Sequence, residues 1–230
     1  MNLIITADGI RHQFYAVAMS KVVPDYMIIQ EHKEGTNGFG CGETDILGKL
    51  PFSLPKPLLK CDKVSEPKIT EFIQMIKPDR IFVFGCSLLK PEIIDSAKYG
   101  VINLHTGYTQ SYRGVDSSTW ALCNKDYDNI GVTVHYVTPG IDDGDIIAQR
   151  QVQLLNQKNI DEVFIDTCKV GINLLLDVTN SILDGTAPRF PLHPKGKLYQ
   201  LKDMSFDIQR DANDNLREYT SLPRRIRSYH

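Results

Sequence analysis

Short apolar runs alternate with segments of helical periodicity along most of this 230-residue chain. The runs are rich in β-branched residues, and they predict strands over residues 3–6, 26–30, 80–85, 101–105 and 131–137. Between them, the spacing of apolar residues predicts helices over residues 10–21, 67–76, 91–98 and 117–124. Serial alternation of this kind is typical of an α/β fold, so we expect a Rossmann-like, mostly parallel, doubly wound sheet.

The second half of the chain follows a less regular pattern. Residues 149–155 alternate as in a half-exposed strand, and residues 161–183 form a long amphipathic pattern that ends at Gly185. The remaining C-terminal segment has the pattern of a hairpin followed by a short helix, and it is too small to fold alone. We therefore expect a main domain over residues 1–185 and a small C-terminal subdomain over residues 186–230.

Composition excludes several classes of protein. Hydrophobic residues make up 42% of the chain, enough for one core, and no segment is long and apolar enough to span a bilayer. The first residues read as a buried strand without a basic leader, which predicts a cytoplasmic protein. The five cysteines are scattered without metal-ligand spacing, which favours free thiols over a zinc site or disulfides.

The charge balance gives no indication of nucleic-acid binding. The net charge is −2 and the pI about 6.3, whereas nucleic-acid-binding proteins concentrate positive charge. A basic cluster, Arg224-Arg225-Ile226-Arg227, follows Pro223, and a solvated tail is favoured over a phosphate or partner contact. A Gly-rich segment over residues 35–42 predicts surface structure without a phosphate-loop signature.

Polar side chains occur where two of the apolar runs end. Asn103 and His105 belong to the run over residues 101–105, and Asp142 follows the run over residues 131–137. Residues two apart on a strand point to the same face, so Asn103 and His105 can face one site. Such an amide and imidazole can donate hydrogen bonds to a developing oxyanion, while a carboxylate orients the imidazole and helps remove a proton. The pattern predicts acyl transfer to an amine.

Each of these residues also has a simpler interpretation. A single His at a strand end is more often structural than catalytic, and an Asp near a Gly is usually part of a turn. The segment Asp142-Asp143-Gly144-Asp145 resembles a calcium loop in composition, but it lacks the ligand spacing of a helix-loop-helix calcium site. The combination of all three residues favours a functional site.

Three linked segments resemble motifs of the folate-dependent formyltransferase family. They are Asn103-Leu-His105, Tyr112-Arg-Gly114, and the stretch that joins Gly131-Val-Thr-Val-His135 to Gly140-Ile-Asp-Asp-Gly-Asp-Ile-Ile147. These resemble, in order, the family's catalytic Asn-x-His, its (W/Y)RG element, and its GVTIH and GLDTGDI segments. The match runs over residues 82–147.

The resemblance implies that Asn103, His105 and Asp142 form a catalytic triad and that N10-formyltetrahydrofolate donates the formyl group. It also implies that two loops enclose the flat pterin ring, which a pocket of this kind binds through backbone N–H and C=O groups. The implied folate contacts are Phe84, Gly85, Cys86, Ser87, Leu88, Thr138, Gly140 and Asp143. Cys86 as a nucleophile is an alternative, but no positioned base accompanies it.

The chain departs from two branches of the family. Methionyl-tRNA members have Ser-Leu-Leu-Pro after the His and a basic C-terminal β-domain, whereas this chain has Thr106-Gly-Tyr-Thr-Gln-Ser111. Members that formylate phosphoribosylglycinamide usually have a Gly-Ser-Gly-Ser-Asn-like phosphate loop after the first strand, whereas this chain has Thr6-Ala-Asp-Gly-Ile-Arg-His12. Both activities are the weaker alternatives.

The chain is most similar to the nucleotide-sugar N-formyltransferases. Four segments carry this similarity: the N-terminal Asp-x-x-Arg-His, the His-Thr-Gly loop, and residues 113–118 and 196–202. These enzymes formylate an amino group of a dideoxy sugar linked to a nucleotide such as dTDP, often for O-antigen and lipopolysaccharide biosynthesis. Arg11, His12 and Arg113 are candidate contacts to the sugar or its pyrophosphate, because a guanidinium suits phosphate recognition. Tyr108 and Asp116 are candidate acceptor contacts in the covering loop.

Several of these candidates have structural alternatives. Arg11 has the pattern of an ordinary helix-surface charge, and Arg113 could only brace its loop. For His135, in the strand before the catalytic loop, and for Trp120, on a helix face, we expect packing rather than chemistry.

We therefore predict an enzyme that moves a formyl group from N10-formyltetrahydrofolate to a nucleotide-linked amino sugar. It would need no metal and would have neither a nucleic-acid nor a membrane partner; a homodimer is conceivable, although no self-association signature is present. The alternatives are transfer to phosphoribosylglycinamide or methionyl-tRNA, hydrolysis of the folate donor to formate, and a non-catalytic nucleotide-sugar or folate-binding protein.

Overall fold

The computed structural model describes residues 1–33 and 53–222, and these contain one large sheet of seven strands. The strands are β1 (Asn2–Ala7), β2 (Tyr26–Glu31), β3 (Leu58–Cys61), β4 (Ile81–Phe84), β5 (Val101–His105), β7 (Gly131–Tyr136) and β8 (Ile146–Gln151). The order is β3-β2-β1-β4-β5-β7-β8, and the first five strands are parallel. β7 and β8 continue the sheet as antiparallel strands. The prediction of a Rossmann-like, mostly parallel α/β fold is confirmed.

Helices cover both faces of this sheet. They are α1 (Ile10–Ser20), α2 (Pro67–Ile76), α3 (Pro91–Ser96), α4 (Ser117–Cys123), α5 (Ile160–Asp184) and α6 (Phe206–Ser221). The central strand β1 shows the two-sided burial, because Ile4 packs in one core cluster while Leu3 and Ile5 pack in the other. All three are fully buried, and such burial stabilises the fold by about 1.5–3 kcal/mol per side chain. This explains why the parallel strands are almost continuously apolar.

Two strands differ from their predicted positions. The half-exposed strand predicted over residues 149–155 is β8, Ile146–Gln151, because its register is fixed by pairing with β7, Gly131 opposite Gln151. Residues beyond Gln151 leave the sheet, although Val152 and Leu154 remain in the core. β3 lies in a segment that the sequence indicated only as Pro-rich and extended, and it pairs with β2.

The predicted C-terminal hairpin is wrong. Within the described part of this segment, one strand forms, β9 (Lys197–Tyr199), and it pairs in parallel with the distant β6 (Tyr112–Gly114). The following helix α6 spans 16 residues, and its apolar Ala212, Leu216 and Tyr219 pack into the main core. β9 therefore pairs with a strand beside the predicted active-site loop, not with a strand adjacent to β9 in the sequence. The domain boundary after residue 185 stays a prediction.

The long helix α5 lies against the strand that carries Asn103 and His105. It begins at Asn159, whose side chain accepts a hydrogen bond from the Glu162 amide, and ends at Gly185 in the left-handed region, as predicted. A Cβ on Gly171 would come within 2.8 Å of Leu104. The missing side chain at Gly171 therefore permits a close approach that fixes the position of β5.

Some sequence features fall outside the described residues. They are the Gly-rich segment, Cys41 and the cluster of Arg224, Arg225 and Arg227. The four described cysteines are free thiols. Across residues 1–33 and 53–222, no helix has the length and apolar character needed to cross a membrane.

Candidate active site

Asn103, His105 and Asp142 converge at one point. Asn103 and His105 lie on β5, and Asp142 lies in the loop between β7 and β8. The Asn103 Nδ2 donates to Asp142 Oδ1 at 3.2 Å, and the His105 Nδ1 lies 3.4 Å from Asp142 Oδ2. The backbone N–H of Gly114, at the end of β6, donates to the same Oδ2 at 2.9 Å. The three predicted catalytic residues thus form one cluster, joined by a hydrogen bond from Asn103 and by the proximity of His105 to the carboxylate.

His135 is a fourth member that sequence reasoning assigned to packing. The antiparallel pairing of β5 with β7 sets His135 directly opposite Asn103. Its Nε2 lies 3.0 Å from Asn103 Nδ2 and 3.4 Å from Asp142 Oδ1, and its Nδ1 lies 2.8 Å from the Tyr136 carbonyl. The carbonyl can only accept, so Nδ1 carries a hydrogen and Nε2 accepts from the Asn103 amide. His135 is buried, but it holds the catalytic amide rather than merely filling space.

His105 lies between two acceptors. Its Nε2 is 3.0 Å from the Tyr112 carbonyl oxygen, and its Nδ1 faces the Asp142 carboxylate. Both of these groups only accept hydrogen bonds, so the doubly protonated ring satisfies both contacts. The Ser117 hydroxyl, 3.2 Å from Nε2, can accept from the same N–H. The surroundings of His105 therefore suit a hydrogen-bond donor better than a base.

Asp142 is held as a buried anion. Burial opposes its charged form, but the charge of His105 and the hydrogen bond from the Gly114 amide favour it, and its pKa lies below the ordinary range. Its backbone has a φ of 45°, a left-handed conformation that is uncommon for a residue with a side chain. Strain of this kind persists where the surroundings over-determine the geometry, as at functional sites.

A cavity of about 340 Å³ opens above this cluster. Asn103, His105, His135 and Asp142 line it at one end. Seven of the eight predicted folate contacts also line it: Phe84, Gly85, Cys86, Ser87, Leu88, Thr138 and Gly140. Three of the five predicted acceptor contacts do so as well: Arg11, His12 and Asp116. One cavity therefore brings together most of the predicted site.

The loop after β4 forms one wall of the cavity. Gly85 has a φ of 68°, and a Cβ there would overlap the His12 ring, so this position requires glycine. The buried Glu31 carboxylate accepts hydrogen bonds from the Ser87 amide, at 3.0 Å, and from its hydroxyl. Burial raises the pKa of the Cys86 thiol to about 12, so it stays protonated and is a poor nucleophile. Leu88, 69% exposed, extends into the cavity as an apolar contact.

The cavity lining next to Gly85 is polar. Burial lowers the pKa of both Arg11 and His12, and the shift at His12 is large enough to leave its ring neutral. The His12 Nδ1 is buried without a hydrogen-bond partner among the described residues. Burial raises the pKa of Asp116 to about 6, although the charge of Arg11 opposes the shift. This wall combines a cation, a neutral imidazole and an unusual carboxyl group.

Three predicted contacts lie outside the cavity lining, and their role in ligand binding stays a prediction. The Tyr108 ring packs against Gly131 in β7. Arg113 donates from Nε to the Gly196 carbonyl at 2.8 Å and from a terminal nitrogen to the Ile141 carbonyl at 3.1 Å. The Asp143 carboxylate accepts from Thr138 and Lys195. Arg113 and Asp143 thus brace the loop that carries Asp142.

Trp120 packs as expected, with its ring stacked on Tyr199 at 4.3 Å. In the described ranges, no group of three or more His, Cys, Asp or Glu residues is arranged to hold a metal ion.

Sequence comparisons with known proteins agree on one family. The profile described as Formyl transferase matches residues 25–179. A methionyl-tRNA formyltransferase from Chlorobium chlorochromatii is 24% identical over 165 residues, 72% of this chain and 52% of that protein. One from Agathobacter rectalis is 33% identical over 131 residues, 56% of this chain and 42% of that protein. The chain thus spans about half the length of these curated relatives.

Solved structures extend the comparison to nearly the whole chain. A 4-N formyltransferase from Francisella tularensis has a TM-score of 0.67 at 18% identity, covering 94% of this chain and 87% of its own. The formyltransferase PseJ from Anoxybacillus kamchatkensis was solved with UDP-4,6-dideoxy-4-formamido-L-AltNAc and tetrahydrofolate. It has a TM-score of 0.62 at 19% identity, covering 94% of this chain and 97% of its own. Glycinamide ribonucleotide transformylase 1 from Symbiobacterium toebii has a TM-score of 0.60 at 17% identity, covering 80% of this chain and 88% of its own.

At these sequence identities the solved structures establish only a shared fold, whereas the match to the family profile establishes family membership. Its match extends over more than half of the 230 residues. The protein is a member of the formyl transferase family.

Proposed function

We propose that this protein transfers a formyl group from N10-formyltetrahydrofolate to the amino group of a nucleotide-linked amino sugar. The observation that carries the proposal is the convergence of Asn103, His105 and Asp142 at one end of a cavity of about 340 Å³. Formyl transfer to an amine develops negative charge on the formyl oxygen, and an amide beside a protonated imidazole can stabilise that charge.

In this mechanism Asn103 donates a hydrogen bond to the formyl oxygen as the amine attacks, and the positive charge on His105 stabilises the same oxygen. The Asn103 amide shares its two hydrogens between Asp142 and His135, so the oxygen competes for one of them. Asp142 keeps the charge of His105 in place beside the reacting carbon. Each preorganised donor of this kind contributes about 10²–10³ in rate in other acyl-transfer enzymes.

The donor would bind between the loop after β4 and the backbone at Thr138 and Gly140. Both loops line the cavity, and Leu88 offers an exposed apolar side chain to a flat ring. Tetrahydrofolate in the PseJ structure supports this choice of donor. Glu31 would fix the donor loop through Ser87.

Two features support a nucleotide-linked sugar as acceptor. The formyltransferase PseJ, solved with a UDP-linked sugar, covers 94% of this chain, against 80% for the glycinamide ribonucleotide transformylase. The acceptor wall also carries Arg11 beside Asp116, a pair that can meet a phosphate and an amino or hydroxyl group. The cytoplasmic location, the two-domain division and a homodimer stay predictions.

The test is a screen of nucleotide-linked 3-amino and 4-amino sugars with the formylated folate donor, read as a gain of one formyl group on the sugar by mass spectrometry. We expect one sugar class to be formylated. Activity confined to glycinamide ribotide or methionyl-tRNA would contradict the proposed acceptor. Formate release at full rate without any acceptor would indicate a hydrolase instead.

A further inference from the structure

Both carboxylate oxygens of Asp142 already face hydrogen-bond donors. Its Oδ1 accepts from Asn103 at 3.2 Å, and its Oδ2 faces the Gly114 amide at 2.9 Å and His105 at 3.4 Å. A carboxylate with donors on both oxygens and a lowered pKa is a weak base. A primary amine arrives largely as an ammonium ion at neutral pH, so some other group has to deprotonate it.

Asp116 is the second carboxylate among the described residues that line the cavity. Its side chain forms no hydrogen bond or ion pair with any part of the described chain, and it does not cap the helix that follows it. Gly114, which binds Asp142, lies two residues before it, and Ser117, whose hydroxyl lies 3.2 Å from His105 Nε2, directly follows it. Since two residues span at most about 7 Å, the Asp116 backbone lies close to the triad.

The backbone of Asp116 supports a functional placement. Its φ is 57° and its ψ 35°, which is left-handed and unfavourable for most residues with a side chain. Asp is among the few residues with a side chain that adopt this conformation with some frequency, so the turn accepts Asp at a modest cost. The position therefore combines local strain with an unpartnered carboxylate that faces the cavity.

We propose that Asp116 is the catalytic residue that takes the proton from the ammonium group of the acceptor, a role that rests on the proposed function. One N–H bond of the ammonium breaks, and the proton moves to an Asp116 carboxylate oxygen. The freed lone pair forms the C–N bond to the formyl carbon. When the bond from that carbon to N10 of the donor breaks, N10 takes the second proton, and the third stays on the formamide. Asp116 then releases its proton to solvent.

The electrostatic surroundings of Asp116 fit this task. Burial raises its pKa to about 6, and Arg11, which faces it from α1, keeps the pKa from rising further. The other titratable groups that line the cavity outside the triad cluster are Arg11, His12, Lys33 and Cys86. Arg11 and Lys33 are cations, and Cys86 is a thiol with a pKa of about 12. Burial lowers the pKa of His12, which makes it a weaker base than free imidazole.

The test compares the wild-type enzyme with Asp116→Asn in kcat/KM for the amino sugar between pH 6 and 9. Asn suits the left-handed backbone, so the fold is retained. We expect a loss of about 10²-fold at pH 7. The loss should shrink as pH rises, because more of the amine is already neutral in solution, and the KM for the folate donor should stay unchanged.

Asp161→Asn is the matched control, since Asp161 is a half-buried carboxylate with a pKa raised by burial that lies outside the cavity lining. It should match the wild type throughout. Asp116→Gly, which also suits the backbone, should repeat the behaviour of Asp116→Asn. A loss that is the same at every pH, or no loss, would overturn the assignment. A wild-type enzyme that formylates no amine would instead refute the proposed function.

Discussion

Replacing Asp142 by Asn should abolish most of the activity, because it removes the charge that holds His105. The Asp142 side chain is 14% exposed and that of His105 is 6% exposed, so their charges compensate each other away from water. In Asp142→Asn the neutral amide no longer balances positive charge on His105, and a charge left unpaired away from water costs several kcal/mol. The electrostatic stabilisation of the oxyanion by His105 is weakened with it.

From this loss of electrostatic stabilisation, we expect kcat to fall by about 10³-fold. The assay is steady-state formyl transfer with saturating folate donor, combined with urea unfolding to show that the variant folds. Asp145→Asn is a suitable control, because Asp145 belongs to the same loop but lies outside the cavity lining. A kcat within a few-fold of the wild type would refute the argument.

The same substitution predicts a pH dependence of stability. The folded protein lowers the pKa of Asp142 below its unfolded value of about 3.8, so the carboxylate stabilises the fold above that pH. This contribution is lost as pH falls through the folded pKa. Asp142→Asn should therefore be less stable than the wild type at pH 7, and the difference should narrow below about pH 4. A difference that widens in acid would contradict the burial and contacts of this carboxylate.

Three further substitutions test other parts of the site. Glu31→Gln should raise the KM for the folate donor about tenfold and leave the KM for the acceptor unchanged. The reason is that the glutamine side chain has one accepting oxygen and cannot accept from both the amide and the hydroxyl of Ser87. Equal effects on the two KM values would contradict this. Cys86→Ala should remain active, and the thiol, with a pKa of about 12, should react only slowly with iodoacetamide at pH 8; inactivation by the substitution would contradict a non-catalytic thiol. Gly171→Ala should lower the free energy of unfolding in urea by about 1–3 kcal/mol through contact with Leu104, and an unchanged midpoint would show that the helix can shift freely.

Most of the parallel half of the fold was predictable because its signals are local, with the edge strand β3 as the exception. β5 and α2 were predicted with the bounds that the structure has, and both are set by residues within the segment itself. Burial on both faces makes the inner parallel strands largely apolar, and the helices between them repeat their own period. The antiparallel β8 and the short β9 were less accessible, because the register of each is fixed by a partner elsewhere in the chain.

The site residues also differ in whether local sequence was enough to predict their positions. Asn103 and His105 share a face because they are two apart on one strand, which the sequence states directly. His135 belongs to the cluster because β7 runs antiparallel to β5 and pairs it with Asn103. The sequence shows that residue 135 is a histidine, but no local pattern shows that strand pairing sets it opposite Asn103.

The reversal of strand direction at β7 explains why this site has a carboxylate that is fully committed to structure. The loop after β7 begins beside Val101, where the Val137 amide donates to the Val101 carbonyl, and it folds back over β5 to reach Asn103 and His105. Both Asp142 oxygens are thereby engaged, Oδ1 by Asn103 on β5 and Oδ2 by the Gly114 amide and His105. The contacts that assemble the triad also make its only acid a weak base, and this is why the proposed proton acceptor lies outside this cluster. Asp116, on the strained turn that leads from β6 into α4, is the carboxylate available for it.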